Sequence, residues 1–238
     1  WEDFVVKDVI SYMDKNYRTL AKRESRGIVG HSMGGAGTLN ISLKHADVFS
    51  VAYPMSLAIG ANELLMKSMF SDGKTMMALL DLSKKMQGVS NDKFAEKLVE
   101  ELKKYNGALN WLLGYGAAFA PDMSQPLRIA LPFELTKDGK MQKIDKTYQM
   151  WESGFGNLAQ KVKEYKNNLL KYRHFSIDCG YNDEIKWIYE STVYLSKCLT
   201  DNKIPHSLHL YDGNHVNRVA EQLSNRVMPI MSAYLEKQ

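Results

Sequence analysis

Ser25-Arg26-Gly27-Ile28-Val29-Gly30-His31-Ser32-Met33-Gly34-Gly35 is the most informative run in this chain. It opens on the apolar pair Ile28-Val29, bounded by Gly27 and Gly30, and reads as a short buried parallel strand. It then enters Gly30-His31-Ser32-Met33-Gly34, a G-x-S-x-G pattern, and residues 34–45 beyond it read as a helix. The pattern alone is weak. At about 7% for glycine and for serine, it arises by chance in on the order of one chain in ten of this length. A strand entering and a helix leaving make it specific. That setting puts a serine at the tip of a sharp, strained turn, and flanking glycines let neighbouring backbone pass without a Cβ clash.

Working outward, residues 1–20 read as an amphipathic helix with Val5, Val9, Tyr12 and Met13 on one stripe. Residues 50–55 read as a second strand closed by Pro54. Residues 60–165 change texture: they are rich in Met and Lys, with a helix over 92–105 and no dominant strand alternation. Trp111, Tyr115 and Phe119 recur every four residues there, a spacing that predicts packing. With Trp151 they are also candidates for a substrate wall. Residues 120–126 read as a loop and Asp138-Gly139 as a turn. The strand–helix alternation then resumes, with a strand at 174–179, a helix at 184–200, a strand at 206–211 and a closing helix at 216–236. The expected class is α/β: one domain over 1–238, a parallel sheet with helices on both faces, and a mostly helical cap inserted at about 60–165.

Composition narrows the function. Of 238 residues, 45% are hydrophobic and 24% charged, as in ordinary globular proteins. No apolar run approaches the roughly 18 residues of a membrane span. The net charge of +4 comes from scattered lysines, which argues for a solvated face and against a nucleic-acid stripe. Two cysteines, Cys179 and Cys198, cannot form a four-cysteine zinc site, and free thiols are expected. They leave the compartment open.

A serine hydroxyl is a poor nucleophile at neutral pH. It needs a base, and the base needs an orienting carboxylate. In strand–turn–helix settings of this kind the chain order is Ser, Asp or Glu, then His, on loops after strands. Of six histidines, His31 lies in the turn itself, His45 beyond the helix, and His174, His206 and His209 at or within strands. His215 alone follows a strand's carboxyl end. Asp183 follows the strand ending near Cys179 and is the first candidate for the acid, with Asp178, still inside the strand, as the alternative. Glu184 is expected to open the next helix and Asp212 to shape a turn. The Met33 backbone N–H is the expected oxyanion donor.

Three segments together resemble a known family: Gly30-His31-Ser32-Met33-Gly34-Gly35, Ile177-Asp178-Cys179-Gly180-Tyr181-Asn182-Asp183 and Tyr211-Asp212-Gly213-Asn214-His215. The chain resembles the C-terminal portion of the esterase family of α/β-hydrolases that includes esterase D (S-formylglutathione hydrolase), enterochelin esterases, feruloyl esterases and the antigen 85 mycolyltransferases. The stretch from Ala118 to Phe133 and His215-Val216-Asn217-Arg218 are shared with bacterial relatives. The resemblance implies an α/β-hydrolase fold, a small-molecule carboxylic or thiol ester as substrate, and an acyl-serine intermediate on Ser32, with His215 as base, Asp183 as its partner and no metal or cofactor required. Acyl transfer to a sugar or alcohol on the same residues, or a non-catalytic binding module, are the alternatives. The chain starts at Trp1, and a helix and one strand fill the residues before Gly30. Early strands of the sheet and the second oxyanion donor are therefore expected upstream. An open sheet edge at 25–31, with edge-to-edge pairing into homo-oligomers, is expected here.

Overall fold

The computed structural model describes residues 1–61, 73–105, 107–136, 138 and 140–237. Residues 62–72 of the expected insertion and Gly139 of the expected turn lie outside them. The chain opens with a π-helical turn (Phe4–Val9) running into α1 (Ile10–Asn16), then β1 (Gly27–His31), α2 (Met33–Lys44) and β2 (Val51–Met55). There follow α3 (Gly73–Lys85), α4 (Phe94–Leu102), α5 (Ala108–Phe119), β3 (Phe133–Leu135), β4 (Met141–Lys143) and α6 (Asp145–Phe155). The chain closes with α7 (Leu158–Glu164), α8 (Lys166–Leu169), β5 (His174–Gly180), α9 (Lys186–Asp201), β6 (Ser207–Tyr211), α10 (Val219–Gln222), a π-helical turn (Leu223–Val227) and α11 (Met228–Tyr234). Two compact units result: Trp1–Ala61 with Leu158–Gln238, and Asn62–Asn157.

The first unit is built on a four-stranded parallel sheet in the order β1-β2-β5-β6. Side chains alternate between its faces. One face, with Ala52, Phe175 and Ile177, packs on Leu39 and Leu43 of α2, Leu158 and Val162 of α7, and Leu195 and Leu199 of α9. The other packs Tyr53 and Met55 on Val227, Leu223 and Met231 of the C-terminal helical segment. This second face is unusually polar for a covered sheet, carrying His31, Ser176, Asp178 and His209 in register with those residues.

Pro54 does not close β2. It sits within the strand, opposite Gly30. The ladder from β2 to β5 pairs residues 51, 52 and 55 and skips 53 and 54, because a proline has no N–H to give a neighbouring strand. β1 is less buried than its apolar pair alone predicts, and it lies at the edge expected to be open. It ends the sheet, its residues are half-buried, and Val29 is 38% exposed. The α1 stripe is exposed at Val9, Tyr12 and Met13, and Val6 is the residue of that segment that is buried.

The second unit is mostly helical but also holds an antiparallel hairpin. Phe133 pairs with Lys143 and Leu135 with Met141. Each strand is three residues long, too short for a period-two pattern to stand out. Thr136 N–H donates to the Lys140 carbonyl at 2.8 Å across the turn. Three of the aromatic residues pack: Tyr115 lies 4.8 Å from the Phe155 ring and 5.7 Å from that of Phe119, and the Trp151 indole donates to the Ala130 carbonyl at 2.8 Å; Trp111 does not, being 43% exposed. A cavity of about 680 Å³ in this unit is lined instead by Met77, Leu80, Leu131, Phe133 and Ile144.

Candidate active site

The turn after β1 is strained at one residue. Ser32 has φ 57° and ψ −117°, a conformation that costs a non-glycine residue roughly 1–3 kcal/mol and persists only where surroundings enforce it. The enforcement is visible. Ser32 N–H donates to the Met55 carbonyl at 3.0 Å, and the Ser32 carbonyl accepts from Ala36 at 3.0 Å and Ala58 at 2.9 Å. Two glycines make this close approach feasible. A Cβ on Gly30 would lie 2.3 Å from the Gly34 carbonyl oxygen, and one on Gly35 would lie 2.5 Å from that of Met55. Gly34, the second glycine of the pattern, faces open space. The steric need falls on its neighbour. Met33 is the first residue of α2, where backbone N–H groups have no intrahelical acceptor.

Two loops meet at the far ends of β5 and β6. Tyr181 N–H donates to the Tyr211 carbonyl at 3.0 Å and Asn182 N–H to the Gly213 carbonyl at 3.1 Å. A Cβ on Gly180 would lie 2.2 Å from the Gly213 carbonyl oxygen, so only glycine allows this contact. Asp212 joins the loops by accepting from the Asn182 amide at 2.9 Å. Asn214 Oδ1 accepts from the N–H of Val216 and Asn217, and Asn217 Oδ1 accepts from Asn214 N–H. These bonds shape the turn that carries His215.

The result is a continuous hydrogen-bonded row. His215 Nδ1 lies 2.7 Å from Asp183 Oδ2, and His215 Nε2 lies 2.9 Å from Ser32 Oγ. An ionised carboxylate only accepts, so Nδ1 carries the proton and Nε2 is free to accept from the serine hydroxyl. Asp183 is 1% exposed. Its other oxygen accepts from Ile185 N–H at 2.9 Å, and the Cys179 thiol stands 3.9 Å from Oδ2. Burial, and then the Asp183 charge, push that thiol up to about 12. Cys179 and Cys198 are both free and buried.

Two further residues hold His215, and the sequence did not single them out for this. The His215 carbonyl accepts from His31 Nε2 at 2.7 Å, which fixes the His31 tautomer. The two rings are 4.8 Å apart. Burial lowers the His31 pKa, partly offset by that hydrogen bond. Glu184 does not open α9, which starts at Lys186. Its Oε2 accepts from His215 N–H at 3.1 Å. Position in the turn and loop was legible, but a side chain reaching a distant backbone atom leaves no periodic trace.

Asp178 lies inside β5, fully buried; neither carboxylate oxygen makes a hydrogen bond of full geometry, and the Tyr53 hydroxyl and Ser56 N–H are the nearest donors. Burial pushes its pKa up to about 7, although the Tyr53 hydroxyl, Ser56 and the Arg226 charge favour the anion. The other histidines lie elsewhere. His45 bonds Glu2 at 2.9 Å, His174 bonds Ser176 at 2.6 Å, His206 bonds Ser196 at 2.7 Å, and the His209 ring stacks on Tyr211. Among the described residues no group of His, Cys, Asp and Glu is placed to hold a metal, and no helix is long and apolar enough to cross a membrane.

Comparison with known proteins agrees with this frame. Residues 1–106 match the family described as "Putative esterase", a match that includes Ser32 and stops before Asp183 and His215. The family resemblance is thereby borne out. An esterase of Mycobacterium tuberculosis is 35% identical over 52 residues, which are 22% of this chain and 11% of that protein. A ferulic acid esterase structure superimposes with a TM-score of 0.54 at 18% identity, over 98% of this chain and 61% of that one. An S-formylglutathione hydrolase of Staphylococcus aureus gives a TM-score of 0.48 at 19% identity, over 97% and 63%. The chain thus spans a ninth of the mycobacterial protein and about three fifths of these two structures. The fold is that of the α/β-hydrolases.

Proposed function

We propose that the protein hydrolyses carboxylic or thiol esters through an acyl-serine intermediate on Ser32. The observation that carries this reading is the unbroken row from Asp183 through His215 to Ser32, at 2.7 and 2.9 Å. Ser32 Oγ attacks the ester carbonyl carbon and its proton passes to His215 Nε2. Negative charge on the carbonyl oxygen is met by the Met33 N–H at the start of α2. The tetrahedral intermediate collapses, and the departing alcohol or thiol takes the proton from His215. Water then attacks the acyl-serine, giving its proton to His215, and the acid leaves as Ser32 regains its hydrogen. Asp183 keeps the Nδ1 proton in place and stabilises the imidazolium that forms twice per cycle.

The test is release of p-nitrophenol from acetyl and butyryl esters by the protein and by Ser32→Ala. Activity that falls at least about a thousandfold in the variant supports the reading. Equal activity in both, or none in either, contradicts it. Adding alcohol acceptors separates hydrolysis from acyl transfer, since a hydrolase releases free acid undiminished.

A further inference from the structure

Glu184 is an exposed residue whose carboxylate reaches the base of the active site. Its Oε2 accepts from the His215 N–H at 3.1 Å, and His215 Nε2 lies 2.9 Å from Ser32 Oγ. The carboxylate is therefore parted from Nε2 by little more than the length of the His215 side chain. Because it stays in water, its charge carries no large desolvation cost.

Holding one backbone N–H does not call for a charge. In the same turn the N–H groups of Asn214, Val216 and Asn217 all meet neutral amide oxygens of Asn217 and Asn214. The His215 N–H alone among these four meets a carboxylate. That charge is also uncompensated. Among the described residues no Lys or Arg lies within ion-pair distance of Glu184. Arg218, on the loop of the base, pairs instead with Glu221 at 3.5 Å, and Lys186 is exposed at the start of α9. Asp212, exposed on the other side of His215 in sequence, bonds the neutral Asn182 amide at 2.9 Å and likewise has no cation paired to it.

On the acyl-serine reading, on which this inference rests, His215 Nε2 gives its proton to the departing alcohol or thiol. The leaving group therefore lies on the His215 side of the ester carbonyl, while the acyl group stays on Ser32. We propose that Glu184 selects esters by the charge of their leaving group, favouring cationic alcohols or thiols over anionic ones. Two unit charges about 8 Å apart change a rate by about twofold even in the dielectric of water. The change is a gain for a cation and a loss for an anion, so the two separate by roughly fivefold. Glu184 also steadies the imidazolium, but that acts on every ester alike and cancels in a ratio of substrates.

The test is kcat/KM for the acetyl thioesters of thiocholine, mercaptoethanol and mercaptopropionate, read by thiol release. They share one acyl group and carry cationic, neutral and anionic leaving groups. Each ester's intrinsic reactivity is the same for parent and variant, so it cancels between them. At about 10 mM salt, where the Debye length is about 30 Å, Glu184→Gln should lower the cationic-to-anionic ratio at least about threefold. At about 1 M salt, with a Debye length near 3 Å, the two proteins should give the same ratio. Glutamine keeps an acceptor for the His215 N–H, so a residue that only held the backbone would leave the ratio unmoved. Glu184→Ala should match the ratio of Glu184→Gln and turn over all three esters more slowly than it does, through loss of that acceptor. All three esters turned over, at a low-salt ratio equal in parent and Glu184→Gln, overturns this proposal alone. A parent that releases thiol from none of them overturns the acyl-serine reading and the proposal with it.

Discussion

At the scale of single residues, His215 is held at four points: Asp183 at Nδ1, Ser32 at Nε2, Glu184 at its N–H and His31 at its carbonyl. The first two follow from chain order and loop position, and were legible as residues. The backbone clamp was not. His31→Ala removes one donor to a half-buried carbonyl, a loss of about 1 kcal/mol. We expect a drop of roughly fivefold to tenfold in kcat/KM, with His31→Gln, which keeps a donor, recovering most of it. Steady-state kinetics with a p-nitrophenyl ester checks this, and an Ala variant with parental kcat/KM contradicts it. Asp178 gives a pH signature of its own. Its folded pKa of about 7 stands above the ordinary aspartate value of 3.8. Between those values the folded state holds a proton that the unfolded state has lost, so this group's stability contribution falls as pH rises and levels off above about 7. Asp178→Asn removes that slope. Denaturant unfolding should show the variant gaining on the parent from pH 4.5 to pH 8, by on the order of 2–4 kcal/mol. A difference that is the same at both pH values contradicts the account.

At the scale of elements, the strand–turn–helix around Ser32 was readable because its glycines and apolar pair lie together. Which glycine matters was not, since the clash is with a strand 20 residues away. Gly35→Ala sets a Cβ against the Met55 carbonyl oxygen, and backbone cannot yield as a flexible side chain can. It should cost more than about 2 kcal/mol, by overpacking. Gly34→Ala meets nothing and should be neutral or stabilising by up to about 1 kcal/mol, from helix propensity. Urea unfolding of the two variants decides, and equal destabilisation would contradict this reading of the turn. Pro54 and the β3–β4 hairpin escaped for different reasons. Proline suggested an ending where the strand tolerates a missing ladder bond. The hairpin's three-residue strands with exposed Glu134 and Gln142 carry no alternation.

At the scale of the whole molecule, the insertion expected at about 60–165 overlaps the second unit, Asn62–Asn157. Leu158 and Val162 of α7 belong to the sheet's core, and a short helix with two inward apolar residues looks alike in either unit. The sheet also has a consequence for association. β1 ends it with one edge unpaired by any described strand and with Val29 exposed. Such edges pair with other chains unless protected. For residues 1–238 by themselves, sedimentation velocity over a range of concentrations should show self-association through this edge, and a monomer throughout would contradict it.

The central claim is that Ser32 is a nucleophile activated by His215, itself held by Asp183. Its most direct test is the rate at which a fluorophosphonate attaches to the folded protein, read by intact mass and peptide mapping. One adduct is expected, on Ser32, absent in Ser32→Ala and formed at least about a hundredfold more slowly in His215→Ala. A folded protein whose Ser32 stays unmodified, or whose labelling rate is unchanged by His215→Ala, would contradict it.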